Sequence, residues 1–274
     1  MRRPRVTDDD LIEFAVELAA NAGELSAGLF LAGSPRRFKE DGSEVTDADV
    51  RVEELVRAAV ARYAPDDGLL GEETGESAGR SGRRWVCDPI SGTAYFTRRM
   101  PLFANLIAYE DEHGPAVGVI NLPMQQEMVV AAAGRGCRVL TGGQRRFGAG
   151  RRVEVDPADV GKPLLLAANQ HTWSEELLVA LHRRATVVGA VHHAAVHLVT
   201  GRVDGFVMTH QGYDDLAPLP VILAEAGATV TDLSGDPVLT GDGSALAASP
   251  TLHRHLLETT TAIRNGGAPY YRNP

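Results

Sequence analysis

The hydrophobic period of this chain changes twice, and few folds accommodate that. At the start, apolar residues recur at spacings of three and four: Leu11, Phe14, Ala15, Leu18 and Ala22, then Val52, Leu55, Val56, Ala59 and Val60. This spacing predicts two helices, the first capped by Thr7 or Asp8 and the second ending near Pro65, with a loop around Gly33-Ser34-Pro35 and Asp41-Gly42-Ser43 between them. The pattern then becomes that of strands. Residues 85–87 run straight into Asp88, residues 106–109 and 116–120 flank a His113-Gly114 turn, and residues 128–133 follow. The stretch 142–152, rich in Gly and Arg, reads as an exposed loop. Beyond it, strands at 164–168, 187–188, 205–208 and 245–248 alternate with helices at 174–184, 191–200 and 216–226 and a last helix after 248. Such an order predicts an α/β (α+β) layered fold, with an N-terminal α+β half over residues 1–150 and a C-terminal α/β half over residues 151–274.

Charge narrows the function. A net charge of -9 offers no basic patch for nucleic acid or an anionic membrane surface. No apolar run reaches the roughly 20 residues of a bilayer span. The residues before Asp8 are basic without the apolar stretch of a signal peptide. The expected protein is cytoplasmic, with no membrane and no nucleic acid partner. Its cysteines, Cys87 and Cys137, form neither a disulfide framework nor a metal spacing, and read as reduced thiols.

Three acidic residues share one design. Glu72 follows Leu69-Leu70, Asp88 follows Trp85-Val86-Cys87, and Asp215 precedes Leu216-Ala217-Pro218. Each stands at the end of an apolar element beside turn residues, where open α/β sheets present ligand groups. Singly, each is as readily a helix cap or a loop acid. Together, carboxylates from distant segments suit Mg²⁺, which takes oxygen ligands and leaves positions for water and substrate phosphate.

The surrounding residues carry a resemblance. Gly71-Glu72-Glu73, the run from Trp85 through Asp88-Pro89-Ile90-Ser91-Gly92-Thr93 to Phe96, and Asp215-Leu216-Ala217-Pro218 with Glu225-Ala226-Gly227 resemble the signature blocks of the inositol monophosphatase family. Val45-Thr46-Asp47-Ala48-Asp49 with Val52-Glu53, and Gly201-Arg202-Val203-Asp204, resemble two further blocks. All occur in family order, and Asp215-Leu216-Ala217-Pro218-Leu219 is most similar to the histidinol-phosphatase-like branch. The resemblance implies an αβαβα sandwich, commonly a homodimer, acting on a small phosphorylated metabolite with one to three Mg²⁺ ions. Carried over by position, the metal ligands are Glu72, Asp88, the Ile90 carbonyl and Asp215. Asp49 holds the water and cation network, and Thr93 orients the attacking water together with Glu72. Phosphate and substrate fall to Ser91, Gly92, Thr93, Ala190 and His192, with the amides of Gly92 and Thr93 opening a helix whose dipole favours an anion.

The pattern breaks at Ser91, where the family carries a second Asp. A hydroxyl is a weaker Mg²⁺ ligand than a carboxylate, so the second metal site is expected to be weakened. Asp214, where the family usually has Trp, either supplies the missing charge or is a surface acid. At 189–193 substrate hydroxyls give way to Gly189-Ala190-Val191-His192-His193. His192 reads as an acid–base or phosphate contact. His193 and His197, four apart, read as a transition-metal pair or as one packed and one solvated histidine. Three functions follow: Mg²⁺-dependent hydrolysis of a phosphate monoester of a sugar, inositol, histidinol or nucleotide; a lyase, cyclase or isomerase acting on a phosphorylated metabolite; and a non-catalytic binding paralogue.

Overall fold

The computed structural model describes residues 6–38, 42, 44–189, 194–267 and 270. Helix α1 (Asp9–Ala32) leads into a hairpin of β1 (Arg36–Phe38) and β2 (Glu44–Thr46), then α2 (Asp47–Tyr63). The strands β3 (Gly68–Gly71), β4 (Gly75–Ser77) and β5 (Arg84–Ser91) follow, then α3 (Thr93–Thr97). Next come β6 (Ala104–Asp111), β7 (Gly114–Leu122), β8 (Glu127–Ala132), β9 (Gly136–Thr141) and β10 (Arg151–Val153). The remainder is β11 (Leu164–Ala168), α4 (Glu175–His182), β12 (Ala185–Gly189), α5 (Ala194–Val199), β13 (Gly205–Met208), α6 (Tyr213–Leu216), α7 (Leu219–Glu225), β14 (Thr229–Thr231), β15 (Ala245–Ala248) and α8 (Pro250–Asn265).

Beside the two-stranded β1–β2 sheet, the described residues form an eight-stranded sheet in the order β10-β9-β8-β7-β6-β5-β3-β4 and a five-stranded one in the order β12-β11-β13-β15-β14. Between them lies an apolar layer in which Val196 and Leu198 of α5 and Leu219 and Ile222 of α7 meet Leu106, Ile120 and Val129 on one side and Phe206 and Ala247 on the other. On the outer face of the larger sheet, Ile12 and Val16 of α1 and Val52 and Val56 of α2 pack with Trp85, Ile107 and Val119. On the outer face of the smaller sheet, Leu177 and Leu181 of α4 and Leu252 and Leu256 of α8 cover Leu166, Val207 and Leu246. The layers are αβαβα, as the alternation and the resemblance implied.

Local chemistry explains the element ends. Asp8 caps α1 by accepting from the Asp10 amide at 2.8 Å, and Asp9 and Asp10 face the positive helix end. At 24 residues, α1 is by length and composition apolar enough to cross a membrane, although the sequence reading found no such run; 44% of its most apolar window is buried in the fold. Ile12, Ala15, Val16 and Ala19 face the sheet, and α1 is a core helix. Cys87 and Cys137 are both free and buried.

Several expectations need correction. The stretch 142–152 is not one exposed loop. Phe147 is buried under Arg138, whose guanidinium lies 5.1 Å from the ring centroid, and residues 151–153 pair with β9 as β10. The strand read at 85–87 continues to Ser91, so Asp88 lies within it. The helix read at 216–226 is two, α6 and α7, joined through Ala217 and Pro218. Asp215 therefore stands inside the short helix α6 and not immediately before the start of a helix.

The packing of α7 on β7 is close. A Cβ at Gly118 would lie 2.6 Å from the Pro218 carbonyl oxygen and 2.8 Å from Val221 Cγ1. Gly118→Ala should cost about 1–3 kcal/mol through overpacking, read as a lowered urea midpoint with an unchanged slope. An unchanged midpoint would mean that α7 moves freely on this sheet.

Candidate active site

The centre of the site is a bulge in β5. Pairing with β6 runs from Trp85↔Tyr109 to Asp88↔Leu106 and resumes at Ser91↔Ala104. Three steps along β5 thus answer two along β6, which is one extra residue. In a regular strand, residues three apart point to opposite faces. The extra residue turns Ser91 to the side of Asp88, and both line a cleft of about 310 Å³ together with Glu72, Ile90, Thr93 and Asp215. Buried side chains fix the distortion. Asp88 accepts from the Ile90 amide at 3.0 Å, and Asn105 donates to the Pro89 carbonyl at 2.7 Å. Asn121 in turn donates to Asn105 at 3.0 Å.

Glu72 arrives from the neighbouring strand. β3 lies parallel to β5 with Gly71 opposite Cys87, so the next residue comes beside Asp88. The turn after it is held from below by Glu53 on α2, which is fully buried. Glu53 accepts from the amides of Glu73 at 2.8 Å and Thr74 at 3.2 Å and from the Thr74 hydroxyl. Arg57 Nε and Nη2 donate to it at 3.0 and 2.9 Å. A Cβ on Gly71 would sit 2.3 Å from the Glu53 carboxylate, so only glycine lets the strand come this near. Sequence reading quoted Glu53 without giving it a role. Its signal was Arg57, four residues on.

The Val45–Asp49 block is a helix cap turned to a second use. Thr46 accepts from the Ala48 amide at 3.1 Å, and Asp49 Oδ2 accepts from the Thr46 amide at 2.7 Å and its hydroxyl at 2.6 Å. The other oxygen, Oδ1, accepts from Thr93 Oγ1 at 3.2 Å. Thr93 Oγ1 also lies 3.0 Å from the Ile90 carbonyl, so its single hydrogen is shared between these two acceptors, and the carbonyl keeps a lone pair for another partner. Gly92 has φ 91 and ψ 37, a left-handed turn that favours glycine. The helix it opens is only five residues long. Any anion affinity there comes from the first N–H groups, which lack partners within the helix, and little from a macrodipole.

The last acids sit on α6. Asp215 Oδ2 accepts from the Gly212 amide at 3.2 Å, and its Oδ1 accepts from Ser91 Oγ at 3.1 Å. Asp214 comes into the cleft as well: one oxygen from each of Glu72, Asp88 and Asp214 lies within 4.8 Å of the others. Tyr213 anchors the turn, donating to Glu110 at 2.6 Å beneath Arg84, whose guanidinium is 4.9 Å from its ring centroid. Burial, then the charges of Glu72, Asp215 and Asp214, hold the Asp88 carboxyl well above the usual range. Burial and then Glu72 push Asp215 up to about 6. Asp49 is raised mainly by its burial.

The fold thus brings together Asp49, Glu72, Asp88, Ile90, Ser91, Gly92, Thr93 and Asp215. Ala190, His192 and His193 lie outside the described residues. His197 is half-buried, and burial followed by the charge of Arg202 lowers its pKa. Two other quoted blocks are architectural. Glu225 accepts from the amides of Gly134 and Gly136, both at 2.7 Å, tying α7 to the β8–β9 turn. Asp204 accepts from the Leu165 amide at 2.7 Å, tying the start of β13 to β11.

Comparison with known proteins identifies the family. A profile of the inositol monophosphatase family matches residues 7–265. A histidinol-phosphatase of Mycobacterium tuberculosis is 35% identical over 265 residues, covering 94% of this chain and 100% of that protein. An inositol-1-monophosphatase of Mesorhizobium japonicum is 31% identical over 225 residues, covering 81% and 84%. Among solved structures, an IMPase of Thermotoga maritima superposes with a TM-score of 0.82 at 22% identity, covering 94% of this chain and 99% of that one.

Two outcomes follow from the buried acids. Glu53→Gln removes the charge that holds Arg57 and the Glu72 turn, and should cost about 1–3 kcal/mol, read by denaturant unfolding; a neutral result would free Glu53 of that role. In the cation-free protein, Asp88 and Asp215 have folded-state pKa values above their unfolded ones. The native state then binds more protons at these two groups, so their contribution to stability is fullest below about pH 4 and is lost as pH rises, for Asp215 through about 6. Urea midpoints of the chelator-treated protein should drop across that window, and a rise would contradict the crowding of these acids.

Proposed function

The chain belongs to the inositol monophosphatase family, and from that premise we propose that it hydrolyses a small phosphate monoester with the help of a divalent cation, Mg²⁺ being the natural choice. The observation that carries the proposal is the cleft itself, in which acids from three separate segments face a hydroxyl backed by buried Asp49. Its donors are all oxygen, carboxylates and one carbonyl, a set suited to a hard cation. Glu72, Asp88, Asp215 and the Ile90 carbonyl would hold it. A cation bound there supplies positive charge against the phosphoryl oxygens and acidifies water.

The chain's own groups do the rest. The single hydrogen of Thr93 Oγ1 points between Asp49 and the Ile90 carbonyl, so its lone pairs are free to accept from a water and fix it for in-line attack. The amides of Gly92 and Thr93 can donate to phosphate oxygens. Glu72, exposed at the cleft mouth, is placed to take a proton from that water. Among substrates, the named relatives favour phosphates of small polar alcohols such as histidinol and inositol. We propose further that the protein works as a cytoplasmic homodimer and that Ala190 and His192 contribute to substrate contact.

One observation favours a second reading. The Ser91 hydroxyl, where the family carries an acid, donates to Asp215 and removes a negative charge from the cleft. A cleft so altered would suit a lyase, cyclase or isomerase of a phosphorylated metabolite.

Phosphate release from histidinol phosphate and from inositol 1-phosphate, measured across Mg²⁺ concentrations, tests both. Hydrolysis requires turnover that rises with Mg²⁺, stops with chelator and falls by about 10²–10³-fold in Asp88→Asn and by about 10²-fold in Thr93→Ala. Turnover indifferent to chelator and to Asp88→Asn would end the proposal. Substrate consumed without phosphate release would establish the second reading.

A further inference from the structure

We infer that Asp214 is a cation ligand in this chain, supplying from α6 the carboxylate that Ser91 does not provide. The inference rests on the reading of the cleft as a cation-dependent phosphatase site, and it adds a residue to that site. At position 91 the side chain is a neutral hydroxyl, 2% exposed, 3.1 Å from Asp215 Oδ1 and hydrogen-bonded with Asp88 as well. Asp215 is held at its other oxygen too, by the Gly212 amide at 3.2 Å. Both oxygens of that acid thus already accept a hydrogen bond, although a lone pair on each remains. Asp214, its neighbour, instead lies with Glu72 and Asp88, one oxygen of each within 4.8 Å of the others; two ligands of one ion with bonds of about 2.1 Å stand at most about 4.2 Å apart, so a small closing of these side chains lets them share a cation.

A second feature shows that the Asp214 side chain has a built position. Its carboxylate folds back over Gly212, where a Cβ would stand 2.7 Å from Asp214 Oδ1 and 3.5 Å from Oδ2. Glycine at 212 leaves the space that this acid occupies. Gly212 has φ -69, an ordinary backbone angle, so a side chain there would meet the flexible Asp214 carboxylate and no backbone strain. The turn is itself fixed against the larger sheet by Tyr213 on Glu110. Three carboxylates turned together, one of them 2% exposed, repel one another unless a cation or protons lie between them.

The test is Mn²⁺ binding to the full chain, followed by electron paramagnetic resonance of free Mn²⁺ and by the shift in thermal midpoint that the ion induces. Neither depends on turnover. Asp214→Asn should weaken Mn²⁺ at least tenfold or remove one ion from the stoichiometry. It should also raise the midpoint of the cation-free protein, because a like charge has gone. Gly212→Ala keeps every charge and displaces the Asp214 carboxylate, and should weaken Mn²⁺ several-fold. Far-UV circular dichroism of the cation-free variants confirms that they are folded. Wild-type affinity and stoichiometry in both folded variants would overturn the inference and leave the phosphatase reading standing. A wild-type chain that binds no Mn²⁺ at all would overturn both.

Discussion

One extra residue between Asp88 and Ser91 governs the geometry of this molecule. Without it, Ser91 would point into the opposite face of the larger sheet, and the cleft would lose one wall. The bulge exists because β5 pairs on both sides of it, because Pro89 has no amide for the ladder, and because Asn105 takes hold of the Pro89 carbonyl. The consequence reaches the next residues. Gly92 can make its left-handed turn only from the direction in which Ser91 leaves the strand, and Thr93 then meets both the Ile90 carbonyl and Asp49. A distortion of one strand thus aligns groups from α2, β5 and α3.

Around that bulge the chain gathers negative charge and keeps it. Asp49 and Asp88 are buried and Asp215 is enclosed between two donors, while Glu72 and Asp214 face them. Such crowding is costly in a protein interior. It is held by neighbours that do no chemistry. Glu53 with Arg57 fixes the Glu72 turn, Tyr213 with Glu110 and Arg84 fixes α6, and Glu225 fixes α7 to the β8–β9 turn. The signature blocks of the sequence therefore contain two kinds of residue, those that face the cleft and those that tie its walls together.

Much of this was legible in the residues. The spacing of three and four gave α1 and α2 because their buried faces are continuous, and the run to Asp88 announced a strand because both its faces are covered. The Glu72, Asp88 and Asp215 blocks came together as their order implied. Other features left little trace. The β1–β2 hairpin has strands of three residues, too short for a period to register. The bulge has no propensity of its own, since it is set by the partner strand. Glu53 carried no role in the sequence, although it shares the buried face with Val52 and Val56. Asp214 was left between two readings because a sequence does not tell which way the side chains of a single helical turn point. Gly212 was the one nearby sign, and its reason is the space beneath Asp214.

The strand order has a consequence for how the chain comes to be folded. From β5 to β9 each strand pairs with the next in sequence, through short connections that close quickly. The pairing of β3 with β5 is also near in sequence. Ser91 and Asp215, by contrast, are 124 residues apart. The meander can therefore collect its apolar face while the acids of α6 are still far from those of β3 and β5. Repulsion between Glu72 and Asp88 is met when β3 pairs with β5, and that of Asp214 and Asp215 is added when the second sheet docks and brings α6 across. Until then the scaffold carries Glu72 and Asp88 without Asp214 and Asp215, so an ion meets its full set of acids only once the two sheets are joined.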